Sequence, residues 1–122
     1  MQLRFDFASA VPLYQQLRNQ VVLGIAQGQL QPGDHLPAVR ALADESGVNT
    51  MTISKGYQLL KQEGYLQTDR RRGAVICRRG EAPPSEETLS ALRLHLAELH
   101  LAGLSREEIL TLCEQLFQEG TT

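Results

Sequence analysis

The sequence predicts a mainly α fold with a small β-hairpin, in which an N-terminal unit precedes a C-terminal helical hairpin. Three observations support this fold class. Residues 36–65 contain two short helical patterns joined by a tight turn at residues 46–48. Two strand-like runs, residues 65–68 and 74–77, flank a polar connection that contains glycine. A polar stretch at residues 80–85, with two prolines, separates these elements from two leucine-rich helical patterns.

Length and composition are those of a small globular protein. With 122 residues, 42% apolar and 21% charged, the chain has room for one modest domain or for a small domain with an appendage. It contains no run of about eighteen apolar residues, which a membrane-spanning helix would need. The N-terminal MQLRFDF lacks the basic and apolar regions of a secretory signal. We therefore expect a cytoplasmic protein.

The charge distribution differs between the two parts of the chain. Residues 1–80 contain ten Lys/Arg and six Asp/Glu, a net charge of +4, whereas residues 81–122 contain two Lys/Arg and eight Asp/Glu, a net charge of −6. The overall charge of −2 therefore does not exclude nucleic acid as a partner, because attraction to phosphates depends on local clusters of positive charge. The N-terminal part is the candidate for nucleic-acid binding.

The first elements are a short strand and a helix. Residues 3–7 alternate apolar and polar side chains, which predicts a strand. Pro12 suits the first turn of a helix that we expect to end near Gly28, and Pro32-Gly33 then marks a turn. The apolar stripe of this helix consists of Leu13, Leu17, Val21 and Ile25.

The central pattern is that of a helix-turn-helix. A first helix is expected over residues 38–46, and Gly47 can adopt the left-handed conformation that ends it. Asn49 or Thr50 would cap a second helix over residues 50–63. Its predicted buried face consists of Ile53, Tyr57, Leu60 and Leu59. In this motif the N-terminal residues of the second helix enter the DNA major groove.

The strand pair is connected by the basic segment Asp69-Arg70-Arg71-Arg72-Gly73. Taken alone, three consecutive arginines are more typical of a solvated turn. A basic hairpin that directly follows a helix-turn-helix is instead typical of a wing, whose tip lies beside the duplex. The position therefore favours a DNA-contacting wing, and residues 1–80 form the predicted winged helix-turn-helix domain.

Residues 81–122 form the predicted dimerisation segment. Ser85 begins a helix expected to reach residue 102, and Ser105 with Glu108 forms a capping box at the start of a last helix. The first helix carries a leucine seam at spacings of three, four and three: Leu89, Leu92, Leu96 and Leu99. The two helices could fold back on the N-terminal domain or pair with a second chain. We favour pairing, because an exposed seam of this size is an association surface, and a dimer places two DNA-binding domains on palindromic half-sites.

The cysteines and histidines do not indicate a disulfide, a metal site or a catalytic site. Cys77 and Cys113 are expected to be buried free thiols rather than a disulfide. His35, His95 and His100 lack the spacing of a metal site, so surface or interface roles are favoured. We also find no nucleophile-histidine-acid, paired-carboxylate or phosphate-loop arrangement. The sequence therefore predicts no enzyme, no metal and no cofactor.

Several motifs occur in order over residues 12–76: PLYQQL at 12–17, G-x-L-x-P-G-D-x-L-P at 28–37, VRALA at 39–43, GVN at 47–49 and EGYL at 63–66. This series resembles the winged helix-turn-helix of the GntR family of bacterial transcription regulators. The run NTMTISKGY at 49–57 is most similar to the small YtrA-type branch. That likeness implies a short two-helix dimerisation segment in place of a large effector domain.

The resemblance also implies which residues contact DNA: Arg40, Asn49, Thr50, Met51, Thr52, Ser54, Lys55, Arg70, Arg71, Arg72 and Gly73. Arg40 would pair with guanine or phosphate from outside the second helix, residues 49–52 would meet bases or phosphates, and Lys55 would contact phosphate with help from Ser54. Residues 70–72, next to the wing glycine Gly73, would lie along the minor groove.

Four positions depart from the family pattern. Ala38 replaces a serine that many members carry, which removes a phosphate contact. Thr50 and Ser54 stand where some branches have guanine-reading arginines, so the operators of those branches do not transfer. Arg71 occupies a wing position that is often glycine. The operator sequence is therefore not predictable from the resemblance.

The function predicted is a sequence-specific DNA-binding transcriptional regulator, a homodimeric repressor on a palindromic operator. The alternative is a winged-helix protein-interaction module without DNA readout, which Lys55 and the Arg70–Arg72 run disfavour. A third hypothesis adds to DNA binding a small-molecule effector held between the C-terminal segment and the N-terminal domain, and no residue identifies the compound. The regulated genes and the sign of regulation also lie beyond the sequence.

Overall fold

The computed structural model describes residues 2–69, 73–77 and 80–120. The elements are α1 (Leu13–Ala26), β1 (His35–Leu36), α2 (Val39–Ser46), α3 (Thr50–Gln62), β2 (Leu66–Asp69), β3 (Gly73–Ile76), α4 (Glu86–Leu101) and α5 (Arg106–Gly120). The chain divides after residue 79 into two compact units, called here the head and the tail. The predicted fold class, mainly α with a small β-hairpin wing, is confirmed.

The core of the head is the contact between α1 and α3. Leu17 on α1 and Ile53 and Leu60 on α3 are fully buried. The two helices approach closely at Gly56, where a Cβ atom would lie only 2.6 Å from Cδ2 of Leu17. Only glycine fits here without displacing a buried side chain, so the fit of α1 against α3 depends on this one position.

A three-stranded antiparallel sheet in the order β1-β3-β2 attaches the wing to the rest of the head. His35 pairs with Val75, and Gly33 N–H donates to the carbonyl of Ile76 at 2.8 Å. The sequence did not predict β1, because two residues are too few to show an alternating pattern. β2 begins one residue later than expected and β3 one residue earlier.

The strand expected at residues 3–7 is wrong. The backbone N–H groups of Arg4 and Asp6 donate to the side-chain oxygens of Gln20 and Gln16 on α1, at 2.8 and 2.9 Å. Side-chain amides thus accept the backbone hydrogen bonds that a neighbouring strand would otherwise accept. The alternating pattern arises because Leu3 and Phe5 pack against the core of the head.

The turn between α2 and α3 follows the predicted chemistry. Gly47 has a φ of 75° and ends α2 in the left-handed conformation. The side chain of Asn49 caps α3 by accepting from the N–H of Met51 at 2.7 Å, which decides between the two predicted caps. Asn49 therefore has a structural role as well as its predicted role at the DNA.

Tyr57 connects α3 to the segment that precedes α2. Its hydroxyl donates to the carbonyl of Pro37 at 2.6 Å, and its side chain is buried in the core. Burial raises the pKa of Tyr57 to about 12, since the charged phenolate would be poorly solvated there. The neutral phenol therefore holds the two helices of the motif together.

Both cysteines are free thiols, but they are half-buried rather than buried as expected. Cys77 follows β3 at the end of the sheet. Cys113 lies on α5, where Ile109 is the one buried residue among those whose burial is described. Within the described ranges, no helix is long and apolar enough to cross a membrane, and no cluster of three or more His, Cys, Asp or Glu is arranged to hold a metal.

Candidate nucleic-acid interface

The N-terminal tip of α3 is exposed to solvent. Asn49, Thr50 and Met51 are exposed, and Met51 presents 78% of its surface to solvent. Thr52 is half-buried, and the next residue, Ile53, already belongs to the core. The tip therefore offers an amide, hydroxyl groups and a thioether on one small convex surface, which is the shape that enters a major groove.

Asn49 keeps hydrogen-bonding capacity after capping the helix. Its Oδ1 atom accepts from the N–H of Met51. Its Nδ2 group makes no hydrogen bond to another described residue and remains a donor. The cap also fixes the side-chain orientation, so this donor is held in place before any partner arrives.

Lys55 and Ser54 lie one turn further along α3 and are both exposed, as predicted. The Nζ atom of Lys55 lies over the ring of Tyr14, 4.0 Å from its centroid. This separation is well within the range of a cation–π contact. Lys55 is therefore held against the start of α1 rather than extending freely from the helix.

Sequence reasoning missed two residues on α3. Gln58 is exposed and follows Ser54 by four positions and Lys55 by three, which places it on the same face. Lys61, at the end of the helix, has its Nζ atom 3.2 Å from Oγ1 of Thr68 on β2 and thereby joins α3 to the wing. The helical spacing alone would have identified Gln58, whereas the Lys61 contact depends on the tertiary structure.

Arg40 on α2 and Arg18 on α1 differ in their surroundings. Arg40 is the second residue of α2 and is exposed. Arg18 on α1 makes paired hydrogen bonds to the carboxylate of Glu63, at 3.1 and 2.5 Å. A carboxylate neutralises the charge of Arg18, so Arg40 is the better candidate for DNA contact.

The predicted wing residues are only partly within the described chain. Gly73 begins β3 opposite Asp69 and has a φ of 71°, which favours glycine. Arg70, Arg71 and Arg72, which connect the two strands, lie outside the described residues. Their predicted contact with the minor groove stays a prediction.

The tail exposes many of its apolar side chains. Of the predicted seam, Leu89, Leu96 and Leu99 are half-buried, while Leu92 is 51% exposed. The helices α4 and α5 pack against each other, and the role of the seam in pairing two chains stays a prediction. The other exposed large apolar residues of the described tail are Leu94, Leu101, Leu110, Leu116 and Phe117.

Comparison with known proteins identifies the family. The family described as "Bacterial regulatory proteins, gntR family" matches residues 13–76. The HTH-type transcriptional repressor YtrA of Bacillus subtilis (strain 168) is 32% identical over 111 residues, which span 88% of this chain and 85% of that protein. The chain belongs to the GntR family.

Two solved structures extend the similarity of this regulator. YtrA from Sulfolobus acidocaldarius, a GntR-family transcription factor, is 31% identical with a TM-score of 0.63, covering 80% of this chain and 97% of that one. A transcriptional antiterminator from Listeria monocytogenes EGD-e is 27% identical with a TM-score of 0.79, covering 98% and 92%. Both coverages reach well beyond the residues that the family match spans.

Family membership decides between the functions considered from the sequence. The protein is a DNA-binding transcriptional regulator of the YtrA type, as predicted, and its relatives are transcriptional regulators rather than enzymes. The alternative of a protein-interaction module without DNA readout is therefore rejected. Regulators of this family bind DNA operators, so DNA is the partner for which the exposed tip of α3 is a candidate surface.

Proposed function

We propose that the regulator is a homodimeric repressor that acts in the cytoplasm and occludes a promoter by binding a palindromic operator. Residues 1–80 bind DNA and residues 81–122 pair two chains. The observation that carries the DNA-binding surface is the exposed, capped tip of α3 on a helix whose other side is buried in the head. Such a tip is rigid and accessible at once, as base recognition requires.

In this proposal each exposed group of the motif has a distinct contact. The tip residues 49–52 meet base edges and nearby phosphates, with Met51 against a thymine methyl group. Arg40 makes paired hydrogen bonds to guanine or to phosphate, and Lys55 with Ser54 contacts phosphate. Contacts to phosphate set position and affinity, whereas contacts to bases set specificity.

The wing supplies a second DNA contact. Residues 70–72 carry three arginines between β2 and β3, and Gly73 allows the turn that leads into β3. β3 is held in the sheet between β1 and β2, which anchors the base of the wing to the head. We place the arginines in or along the minor groove, where positive charge is attracted by the phosphates on both sides.

The dimer follows from the small size and poor burial of the tail. The described tail spans residues 80–120, and Ile109 is its one buried large apolar residue. A segment of about 40 residues cannot normally form a stable core alone. A second copy would cover the exposed leucines, and its identical surface satisfies the two-fold symmetry that a palindromic operator requires.

The test is fluorescence anisotropy with a duplex taken from upstream of the regulator's own gene. Wild-type affinity should fall steeply with salt, because each phosphate contact adds about 0.9 to the slope of log affinity against log salt. The double variant Arg40→Ala, Thr52→Ala should lose at least about tenfold, from about 1–3 kcal/mol per specific contact. Arg106→Ala removes the same charge from the tail and should bind like wild type. Unchanged binding of the double variant would reject the residue assignments.

A groove in the head favours the effector hypothesis as a second candidate. It has a volume of about 560 Å³ and lies between the loop after α1, β1 and α2. Its apolar floor includes Leu30, Leu36 and Leu42, and Asp34 and Glu45 line it with negative charge. A small cationic molecule with an apolar part would fit this lining. Thermal-shift screening of such amines should find one that raises the Tm of the wild-type protein but not that of Glu45→Gln. A screen in which no amine raises the Tm would reject the effector.

A further inference from the structure

We propose that Tyr14 is a positioning residue for DNA binding, because its ring holds the ammonium group of Lys55 beside the tip of α3. The geometric basis is the 4.0 Å separation between Nζ of Lys55 and the ring centroid of Tyr14. This inference rests on the proposed function, since it concerns how a DNA-contacting lysine is held. It extends the candidate interface to the start of α1, a segment to which the sequence motifs assigned no role at the DNA.

The ring can hold the lysine because α1 is locked against α3. Tyr14 is the second residue of α1 and is half-buried. Its carbonyl oxygen lies 3.2 Å from where a Cβ atom of Gly56 would stand, so the backbone of α1 directly adjoins α3 at this point. Arg18 and Glu63 join the same two helices further along. The backbone that carries the ring of Tyr14 is therefore fixed against α3, beside Lys55.

A ring and a carboxylate have different effects on a cation. A carboxylate neutralises the charge, as Glu63 does for Arg18. An aromatic ring attracts the ammonium through its quadrupole and leaves the net charge of the lysine in place. Lys55 thus loses side-chain freedom before DNA arrives, while its charge stays available to a phosphate. The contact lowers the entropic cost of binding without lowering the electrostatic attraction.

A double-mutant cycle tests the proposal in the full-length protein. The variants are Tyr14→Leu, Lys55→Met, both together, and Tyr14→Phe, which keeps the ring. Binding is measured by anisotropy with the duplex from upstream of the gene, at several salt concentrations. Lys61→Met is the matched lysine control, because Lys61 contacts Thr68 rather than an aromatic ring.

We expect Tyr14→Leu to weaken binding about two- to fivefold, the size of an exposed cation–π contact, and Tyr14→Phe to bind like wild type. In the Lys55→Met background the same substitution should have no further effect. In the Lys61→Met background it should keep its full effect. Lys55→Met should also reduce the salt slope by about 0.9.

Equal losses from Tyr14→Leu with and without Lys55 would assign Tyr14 a purely structural role and overturn the proposal. A second measurement does not depend on the variant folding: in the wild-type NMR spectrum, the ε-protons of Lys55 should be shifted upfield from those of Lys61 by the ring current. Absence of that shift would also overturn it. If the wild-type protein shows the shift but does not bind the duplex, the proposed function fails at this operator, whereas the contact between Lys55 and the ring of Tyr14 is still demonstrated.

Discussion

In the head, thirteen apolar residues form one buried cluster, whereas Ile109 is the one buried large apolar residue of the described tail. Side chains cap the starts of α4 and α5 in the tail but only that of α3 in the head, so local helix signals do not explain the better burial of the head. The head adds a sheet and a third layer of contacts through α1, whereas the described part of the tail consists of the two helices α4 and α5. In the proposed dimer, a unit with strong local structure thus depends on a partner for its stability.

The largest expected effect tests this dependence in the tail. The double variant Leu101→Asp, Leu110→Asp places charges on exposed apolar positions, 84% and 54% accessible. Burying these charges between two copies is costly, so the dimer should dissociate. Operator affinity should then fall by about 100-fold or more, because the two DNA-binding domains lose their linkage. Analytical ultracentrifugation and anisotropy would measure the two effects.

The control for this variant is Thr111→Asp, which adds a charge at the exposed neighbour of Leu110 on another side of α5. It should remain dimeric. If the Leu101→Asp, Leu110→Asp variant remains a dimer with full affinity, the exposed leucines of the tail are not the association surface.

The second expected effect concerns the head and pH. Burial raises the pKa of Tyr57 from 10 to about 12, so the unfolded chain releases this proton first as the pH rises. The stability that the neutral phenol contributes is complete below pH 10 and is lost as the pH rises toward 12, by about 2.7 kcal/mol at most. Urea unfolding at pH 8 and pH 11.5 should show this loss in wild type.

Tyr57→Phe removes the titrating group and also the hydrogen bond to Pro37, which costs about 1 kcal/mol at pH 8. Its unfolding free energy should therefore change less between the two pH values than that of wild type. Parallel losses in the two proteins would show that Tyr57 does not determine the alkaline behaviour of the head.

The third effect tests the packing of α1 against α3. In Gly56→Ala the new methyl group would meet Cδ2 of the fully buried Leu17 at 2.6 Å and the backbone carbonyl oxygen of Tyr14 at 3.2 Å. We expect a net loss of about 1–3 kcal/mol in the unfolding free energy, in spite of the better helix propensity of alanine. Chemical denaturation gives the value.

Gln58→Ala is the matched control, since this residue is exposed on the same helix. It should change stability by less than about 0.5 kcal/mol. A Gly56→Ala protein as stable as this control would mean that the two helices can separate slightly without cost, and that the head tolerates looser packing than its buried cluster indicates.

The smallest effect concerns the tail and its capping box. Ser105 Oγ accepts from the N–H of Glu108, and the Glu108 carboxylate accepts from the N–H of Ser105, both at 3.1 Å. These bonds hold the pKa of Glu108 below its usual value, so their contribution is lost as the pH falls through that lowered value. Ser105→Ala should weaken the dimer about fivefold and leave head stability unchanged. Sedimentation at several protein concentrations measures the dissociation constant of the dimer. An unchanged constant would show that the start of α5 does not contribute to dimer formation.

Local features of the sequence predicted most of the fold. Gly47 ends α2 through its left-handed backbone, and the side chains of Ser85 and Ser105 cap the starts of α4 and α5, so these signals need no tertiary information. The order of elements and the family motifs predicted the helix-turn-helix and the wing for the same reason. Helix bounds agree to within about two residues, which is the ordinary variation at frayed ends.

The candidate site was predictable where exposure follows from helical spacing. The predicted tip residues lie together at the start of α3, with Thr52 less exposed than its neighbours. The spacing also places Gln58 on this face, although it was not predicted. The contact of Lys55 with Tyr14 joins residues 41 positions apart in the sequence, and no local pattern encodes such a pairing.

By itself, the sequence determined the helices, the caps of α3, α4 and α5, the family and the candidate tip of α3, because each depends on residues within one or two turns or on motifs in a fixed order. The tertiary structure decided three other features. It placed residues 3–7 against α1 instead of in a sheet, it paired β1 with β3, and it left Leu101 exposed while half-burying Leu96. Each of these depends on which distant surface is available to satisfy a backbone group or to cover an apolar side chain, and that is a property of the packed chain alone.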